Sequence, residues 1–371
     1  MIDVQAAVFT GPANPLAIET LNLAGPRSGE VLVKVVATGV CHSDLKVANG
    51  SRPWPTPLVL GHEGAGIVEA IGADVTSVRP GDHVVISWMP YCGRCDACLS
   101  GHPNHCSLTK TTSYLGLMHD GTTRLSRSNG EEVFSYLATA SFGNWAVVPE
   151  SAAVRIRPDA PLEVVALVGC AVATGVGAVI HNAQVPVGAT VAVIGCGGVG
   201  LSAVAGASLA GAEKIIAVDL NEGHLERAKK MGATEVVNGA ADDVAERIKE
   251  MTRNRGVDFA FEAAGLGSTI ELAYRILRPR GTAVVVGQVS KDTRITLDPF
   301  VMSDSELTVT GSNYGATVPP VDFPMLVDLY MVGRLNLDAL IEGNIGITEI
   351  DSAFEALGRG ATARRIVVHE H

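Results

Sequence analysis

Short apolar runs broken by glycine and proline fill the first 150 residues: AAVFT, EVLVKVVATGV, GAGIVEAIG, DHVVIS and NWAVVP. A period of two places alternate side chains on one face, so these runs predict a β-rich domain. From Val187 the texture changes to strand and helix in turn. TVAVIG leads into a helical run from Val199; then come KIIAVD, the helix HLERAKKMG, TEVVN, a helix over 244–252, VDFAFEAAG, a helix to Leu277, GTAVVVGQ and LTVTGSN. Six strands separated by helices predict an α/β, doubly wound parallel sheet. After Asn313 the regularity is lost: PPVDFPMLVDLYMVGRL reads as a helix and ARRIVVHEH as a closing strand. The expected organisation is a first domain over 1–171, a second over 172–312, and a return to the first over 313–371.

The length, 371 residues, exceeds one ordinary core, and 47% hydrophobic content fills two. A formal net charge of −11 disfavours nucleic acid or an anionic membrane as partner. Residues 164–212 contain no Asp, Glu, Lys or Arg, but Pro186, His181, Asn182, Gln184 and frequent glycines cut the stretch into pieces too short for a bilayer, so buried core is expected. The start, MIDVQAAVFTG, lacks the basic end and apolar run of a secretory signal, which leads us to expect a cytoplasmic protein. In a reducing compartment, tightly spaced cysteines mean metal more often than disulfide.

VAVIGCGGVG places Gly195, Gly197 and Gly200 in the GxGxxG register, with Gly198 and Val199 between, after an expected strand and before an expected helix. Asp219 ends the next strand, near the roughly 20-residue interval expected for a carboxylate on the ribose 2′-hydroxyl. That carboxylate, with Asn221 and Glu222 following it and no arginine, favours NAD over NADP. A glycine-rich turn that binds nothing is the plainer alternative, and the strand–turn–helix context argues against it.

Six of the seven cysteines and His62 complete two different zinc sets. Cys92, Cys95, Cys98 and Cys106, in YCGRCDACLSGHPNHC, give the four soft thiolates of a closed structural site; His102 and His105 read as solvated imidazoles, with His105 the replacement should a cysteine not bind. Cys41 in GVCHSD, His62 in LGHEGAG and Cys170 in LVGCAVATG would make an open Cys2His site with a fourth position for substrate. By spacing alone these three could be ordinary core residues. Polar neighbours, His42, Ser43 and Asp44 beside Cys41 and Glu63 beside His62, suit the outer groups that orient ligands. Cys196, in the glycine loop, reads as a small buried hydrophobe.

Together these segments resemble the zinc-dependent medium-chain alcohol dehydrogenases along essentially the whole chain, in the branch of liver-type and thiol-dependent formaldehyde dehydrogenases. The resemblance implies a GroES-like catalytic domain, a Rossmann domain for NAD, and two zinc ions per chain. It assigns catalytic zinc to Cys41, His62 and Cys170 with Glu63 close by, an Asp44 hydrogen bond to His62, and Ser43 as acceptor of the alcohol proton. Thr174 and Val199 would contact the nicotinamide, His42 and Arg364 the pyrophosphate, and Trp88 would line the substrate pocket. A homodimer or homotetramer is expected, with ELTVTGSN as a pairing edge.

Three departures qualify it. Lys46 stands where liver-type members end their proton relay with histidine, and an ordinary lysine pKa of about 10.4 makes a poor neutral base. GSRPWPTPLVLG lacks the acidic pair that holds glutathione. Gln288 replaces an apolar residue beside the nicotinamide. The expected reaction is NAD-linked oxidation of an aromatic, allylic or medium-chain primary alcohol, Pro53, Trp54, Pro55 and Trp88 suggesting an apolar pocket. The competing readings are a formaldehyde dehydrogenase acting on a thiol adduct such as that of mycothiol, and a non-catalytic zinc-stabilised nucleotide-binding protein.

Overall fold

The computed structural model describes residues 1–12, 14–361 and 363–371. The chain divides into two compact units: Met1–Cys170 with Val318–Met331 and Ile341–His371, and Ala171–Thr317 with Val332–Leu340.

The first unit is the GroES-like part. Ile2–Phe9, Ala17–Leu23, Leu125–Ser126, Glu132–Ser135 and Leu58–Val59 close a small barrel. Beside it lies a seven-stranded sheet built around Glu30–Gly39, which pairs with Glu63–Ile71 on one side and with Trp145–Pro149 and Arg364–Val368 on the other. Because Glu30–Gly39 has partners on both edges, its EVLVKVVATG run is buried along almost all its length. The C-terminal strand runs antiparallel to it, with Ile366 opposite Gly39, and this register brings Arg364 to the strand end that leads into Cys41.

In the second unit, strands β1 (Thr190–Ile194), β2 (Lys214–Asp219), β3 (Glu235–Asn238), β4 (Val257–Glu262), β5 (Leu277–Val285) and β6 (Thr308–Gly311) form one parallel sheet in the order β3-β2-β1-β4-β5-β6. This is the doubly wound Rossmann order, whose direction reverses beside β1 and so opens a crevice at the carboxyl ends of β1 and β4. Helix α1 (Gly198–Leu209) leaves β1 through the glycine loop and is buried nearly all round, which its sequence GVGLSAVAGASL, without a charged residue, permits. Helix α2 (Glu222–Lys230) follows β2, and the Asn221 side chain caps it by accepting from the Gly223 N–H at 2.8 Å.

Two boundaries differ from expectation. The helix expected to reach Leu277 ends at Arg275, and Leu277 already opens β5. The return to the first unit is not the single stretch 313–371: residues through Thr317, and again Val332–Leu340, cluster with the second unit. Polar contacts hold them there, Thr317 Oγ1 donating to the Ala173 carbonyl and Arg227 Nη1 to the Ala339 carbonyl at 2.7 Å. Among the described residues no single helix is long and apolar enough to cross a membrane; in the charge-free stretch, Leu162–Gly169 and Ala171–Asn182 reach that length only as a bent pair.

Candidate active site

The first unit gathers two groups of metal-binding side chains. In the lobe over 92–106, the Sγ atoms of Cys92, Cys95, Cys98 and Cys106 all lie within 4.8 Å of one another. Cys95 Sγ is 3.5 Å from Cys98 Sγ and 4.0 Å from Cys106 Sγ, and the Cys92 N–H points at Cys106 Sγ at 3.3 Å. A tetrahedron with Zn–S bonds of about 2.3 Å has S···S edges of about 3.8 Å, so these separations fit zinc and are far too long for a disulfide. Backbone N–H groups of Cys98 and Ser107 hold the Cys95 thiol down to about 5, while burial and the neighbouring Cys95 push Cys98 up to about 12. Thiolates this close repel one another, and a dication removes that repulsion. His105 is not among the four.

The second group joins Cys41, His62, Glu63 and Cys170, with ligand atoms within 4.8 Å of one another and all four residues buried. Cys41 follows Glu30–Gly39 and stands before the helix His42–Ala48; His62 precedes Glu63–Ile71; Cys170 follows the turn Ala166–Gly169. The close approach of the first two segments demands glycine at position 39, where a Cβ would sit 2.2 Å from Glu63 Oε2. Asp44, fully buried, accepts from His62 Nδ1 at 3.1 Å and from the Gly61 N–H at 3.0 Å. With Nδ1 so committed, Nε2 is the nitrogen left for a metal.

The electrostatics call for a cation. A hydrogen bond between the two buried thiols holds Cys41 well below the ordinary thiol value and Cys170 well above it, since both cannot ionise unaided. Burial lifts the Glu63 carboxyl to about 7 although the Arg364 guanidinium, 3.6 Å away, opposes this, and both carboxyl oxygens lack a hydrogen-bond partner. Two thiolates, an imidazole and a spare buried carboxylate are a borderline-soft donor set that zinc satisfies. Arg364 also donates to the Val40 carbonyl at 2.8 Å and to Cys41 Sγ at 3.4 Å. Arg364, expected at the pyrophosphate, is thus also in contact with the sulfur cluster. Ser43 lies half-buried in the first turn after Cys41, His42 is exposed, and Trp88 packs partly buried on the first unit's core.

Sequence reading missed an aromatic wall beside this cluster. The Tyr136 ring meets the His62 ring edge-on at 5.5 Å and the Trp54 ring at 4.6 Å, and the Arg52 guanidinium lies over Trp54 at 5.8 Å. The Tyr136 hydroxyl is buried without a hydrogen-bond partner. Nothing in the local sequence marks Tyr136; only the barrel's closure, with Leu58 opposite Phe134, carries it to His62.

In the second unit the three glycines answer to three needs. Gly195 turns with φ +90°, a Cβ on Gly200 would lie 1.8 Å from the Gly195 carbonyl oxygen, and a Cβ on Gly197 would meet nothing within 4 Å, leaving space open before the first N–H groups of α1. A phosphate fits that space. Gly198 and Val199 open the helix; Thr174, on the helix Ala171–Gly177, lies close to them, since a Cβ on neighbouring Gly175 would sit 2.3 Å from the Val199 carbonyl oxygen. Asp219 accepts from the Cys196 N–H at 2.6 Å, the Asn221 N–H at 2.9 Å and His224 Nδ1 at 3.0 Å. Against the cost of burial, these bonds hold its carboxyl below the ordinary value. His224 escaped sequence analysis although it follows Asp219 by five residues, in the first turn of α2.

A GroES-like unit holding a four-cysteine group and a group of Cys41, His62, Glu63 and Cys170, and a Rossmann unit with an intact dinucleotide turn, define a two-domain zinc oxidoreductase. Comparison with known proteins agrees: residues 27–159 match the alcohol dehydrogenase GroES-like domain and residues 198–331 the zinc-binding dehydrogenase family. The chain is 38% identical to alcohol dehydrogenase class-3 of Cereibacter sphaeroides over 98% of its length and 99% of that protein's. It is 36% identical to S-(hydroxymethyl)glutathione dehydrogenase of Paracoccus denitrificans, with the same coverage of 98% and 99%. The crystal structure of benzyl alcohol dehydrogenase from Acinetobacter calcoaceticus superposes with a TM-score of 0.95 at 36% identity, covering 100% of both chains. The chain belongs to the zinc-dependent medium-chain alcohol dehydrogenase family. It is an enzyme, and zinc and a nicotinamide dinucleotide are its cofactors.

Proposed function

We propose that the protein oxidises primary alcohols with an aromatic, allylic or medium-chain apolar body to aldehydes, with NAD as acceptor. The observation that supports this most directly is the Cys41, His62 and Cys170 set beside the Tyr136 and Trp54 rings, an open metal site next to an aromatic wall. Zinc, when bound, polarises the alcohol oxygen, and the nicotinamide accepts the hydride.

The chain's own residues do the rest. Cys41, His62 and Cys170 hold the catalytic ion, Asp44 fixes the His62 tautomer, and Arg364 steadies the Cys41 thiolate by its 3.4 Å contact. Glu63 is a spare anion at the same centre. Ser43 accepts the hydroxyl proton. Lys46 lies three residues further along the same helix, its ammonium held below the ordinary value by burial and then by the Arg52 charge, the direction a proton acceptor requires. Trp54 and Trp88, both partly buried, offer the alcohol an apolar surface, and the fully buried Tyr136 ring backs Trp54. Cys92, Cys95, Cys98 and Cys106 hold a second, structural zinc.

In the first unit we read the GroES-like catalytic domain and in the second the cofactor domain, with Gly195, Gly197, Gly198 and Gly200 around the pyrophosphate, Thr174 and Val199 near the nicotinamide, and Asp219 on the adenosine ribose. His42 and Arg364 are the further residues we propose at the pyrophosphate. An anionic Asp219 repels the 2′-phosphate of NADP, hence the choice of NAD. The protein works as a homo-oligomer: β6 is the last strand of its sheet, and Phe300 and Val301, in the helix before it, are 73% and 40% exposed. The free cysteines suit the reducing cytoplasm.

The relatives named for class-3 activity and for S-(hydroxymethyl)glutathione favour a second reading, oxidation of a formaldehyde–thiol adduct. One assay decides. NADH formation is followed on zinc-replete protein with benzyl, allyl and hexyl alcohols and with formaldehyde, each with and without glutathione or mycothiol. Turnover of the alcohols without thiol is expected; oxidation confined to formaldehyde plus thiol would establish the second reading instead.

A further inference from the structure

The charge that rejects NADP is not carried by an isolated carboxylate. Asp219 and His224 are joined through Oδ1 and Nδ1 at 3.0 Å, and each side chain is only 13% exposed. The other Asp219 oxygen takes the Cys196 N–H of the glycine loop, so the carboxylate is fixed from both sides. A neutral imidazole donates its Nδ1 proton and leaves the pair with one net negative charge. A protonated imidazole makes the same bond and leaves the pair with none.

We propose that His224 is a second determinant of cofactor choice, acting through Asp219: the pair rejects the 2′-phosphate of NADP when the imidazole is neutral and tolerates it when the imidazole is protonated. This rests on the reading of Asp219 as the adenosine-ribose carboxylate. His224 therefore positions Asp219 for NAD at neutral and alkaline pH and lowers the barrier to NADP as pH falls.

Further charged groups stand on α2 and on the elements packed against it. On α2 itself, Glu222 accepts from the Asn238 amide, Glu226 pairs with Lys229, and Arg227 donates to the Ala339 carbonyl, while Lys230 is exposed. Among the elements packed against α2, β2 carries Lys214 besides Asp219, β3 carries Glu235, the turn Leu337–Leu340 carries Asp338, and α1 carries no charged residue. Lys214 is at the far end of β2 from Asp219, with its Nζ on the Met251 carbonyl.

The test is binding, followed by nicotinamide fluorescence of NADH and NADPH on the zinc-loaded enzyme at about pH 8 and about pH 6. The ratio Kd(NADPH)/Kd(NADH) is expected to fall on the order of tenfold across this range in the wild type, the effect of removing one elementary charge a few ångströms from a phosphate at a partly exposed site. In His224→Gln, which keeps a hydrogen-bond donor but never charges, only the smaller fall due to the phosphate's own ionisation near pH 6 remains. His224→Arg should show the low ratio at both pH values. Asp219→Asn separates the two claims. If it leaves the strong preference for NADH at pH 8, the ribose assignment itself is wrong; if it abolishes that preference while wild type and His224→Gln show the same pH dependence, the role of His224 is overturned and the ribose assignment stands.

Discussion

Replacing Gly197 by Ala separates what the glycine loop does for folding from what it does for the cofactor. Gly197 has φ −69° and ψ −172°, extended backbone open to any residue, and an added Cβ meets no protein atom within 4 Å. Two small effects on stability then oppose each other: less freedom in the unfolded chain stabilises by about 0.4–1 kcal/mol, and a poorer residue at the position before α1 costs a comparable amount. The net change is within about 1 kcal/mol, or roughly 1 °C in melting temperature for a chain of this size. Binding is another matter. The methyl group occupies the space before the α1 N–H groups, and loss of a single charge-assisted hydrogen bond to a phosphate is worth about 1.5–3 kcal/mol, roughly ten- to a hundredfold in Kd. Gly200→Ala is the contrasting change, because its Cβ would stand 1.8 Å from the Gly195 carbonyl oxygen and force β1 and α1 apart at about 1–3 kcal/mol or more. Thermal melts and NADH titration of both variants provide the measurement. Wild-type NADH affinity in Gly197→Ala would refute the placement of pyrophosphate at this turn.

Cys170→Ala should lower the zinc content measured by mass spectrometry from two ions per chain to one and abolish alcohol oxidation, with NADH still bound through the second unit; retention of two ions would remove Cys170 from the ligand set. Acid should weaken the fold through His369, which is 8% exposed, donates to the Ser141 carbonyl at 2.9 Å, and is held by burial at about 4 against an ordinary value of about 6.5. Its folded pKa lies below the unfolded one, so its contribution is complete above about pH 6.5 and is lost as pH falls toward 4; the span corresponds to about 3 kcal/mol. Urea unfolding at successive pH values should show a shallower acid loss for His369→Gln than for wild type, and equal slopes would refute the assignment.

The second unit was legible because its signals are local. Each β-run and each helix occupies contiguous residues, and GCGGVG specifies its own backbone: positive φ at Gly195, contact at Gly200, space at Gly197. The alternation of strand and helix implies the parallel sheet, while the order β3-β2-β1-β4-β5-β6 is seen only in the structure. The ends of the return segment were not legible, because Thr317 and Val332–Leu340 are assigned by hydrogen bonds to Ala173 and Arg227, and no periodicity encodes a bond between residues that far apart. The barrel shows the same limit, since its two-residue strands Leu58–Val59 and Leu125–Ser126 are too short to carry an alternation.

The two zinc sites mark where spacing ceases to inform. Four cysteines within one short lobe can hardly avoid meeting, so chemistry can be read from their intervals. Cys41, His62 and Cys170 meet only because Glu30–Gly39 and Glu63–Ile71 are adjacent strands and the turn before Cys170 packs on them; Gly39 is the trace this leaves, a strand residue with no room for a side chain against Glu63. Arg364 is the further step. Its guanidinium reaches Cys41 and Glu63 because Arg364–Val368 pairs with Glu30–Gly39, so a strand more than 300 residues away along the chain adds a positive charge beside the first ligand. Without a dication both Glu63 carboxyl oxygens stay without a hydrogen-bond partner, and Cys170 keeps its proton beside the Cys41 thiolate. The metal is therefore part of this unit's electrostatic stability as well as of its chemistry, and the same residues account for both.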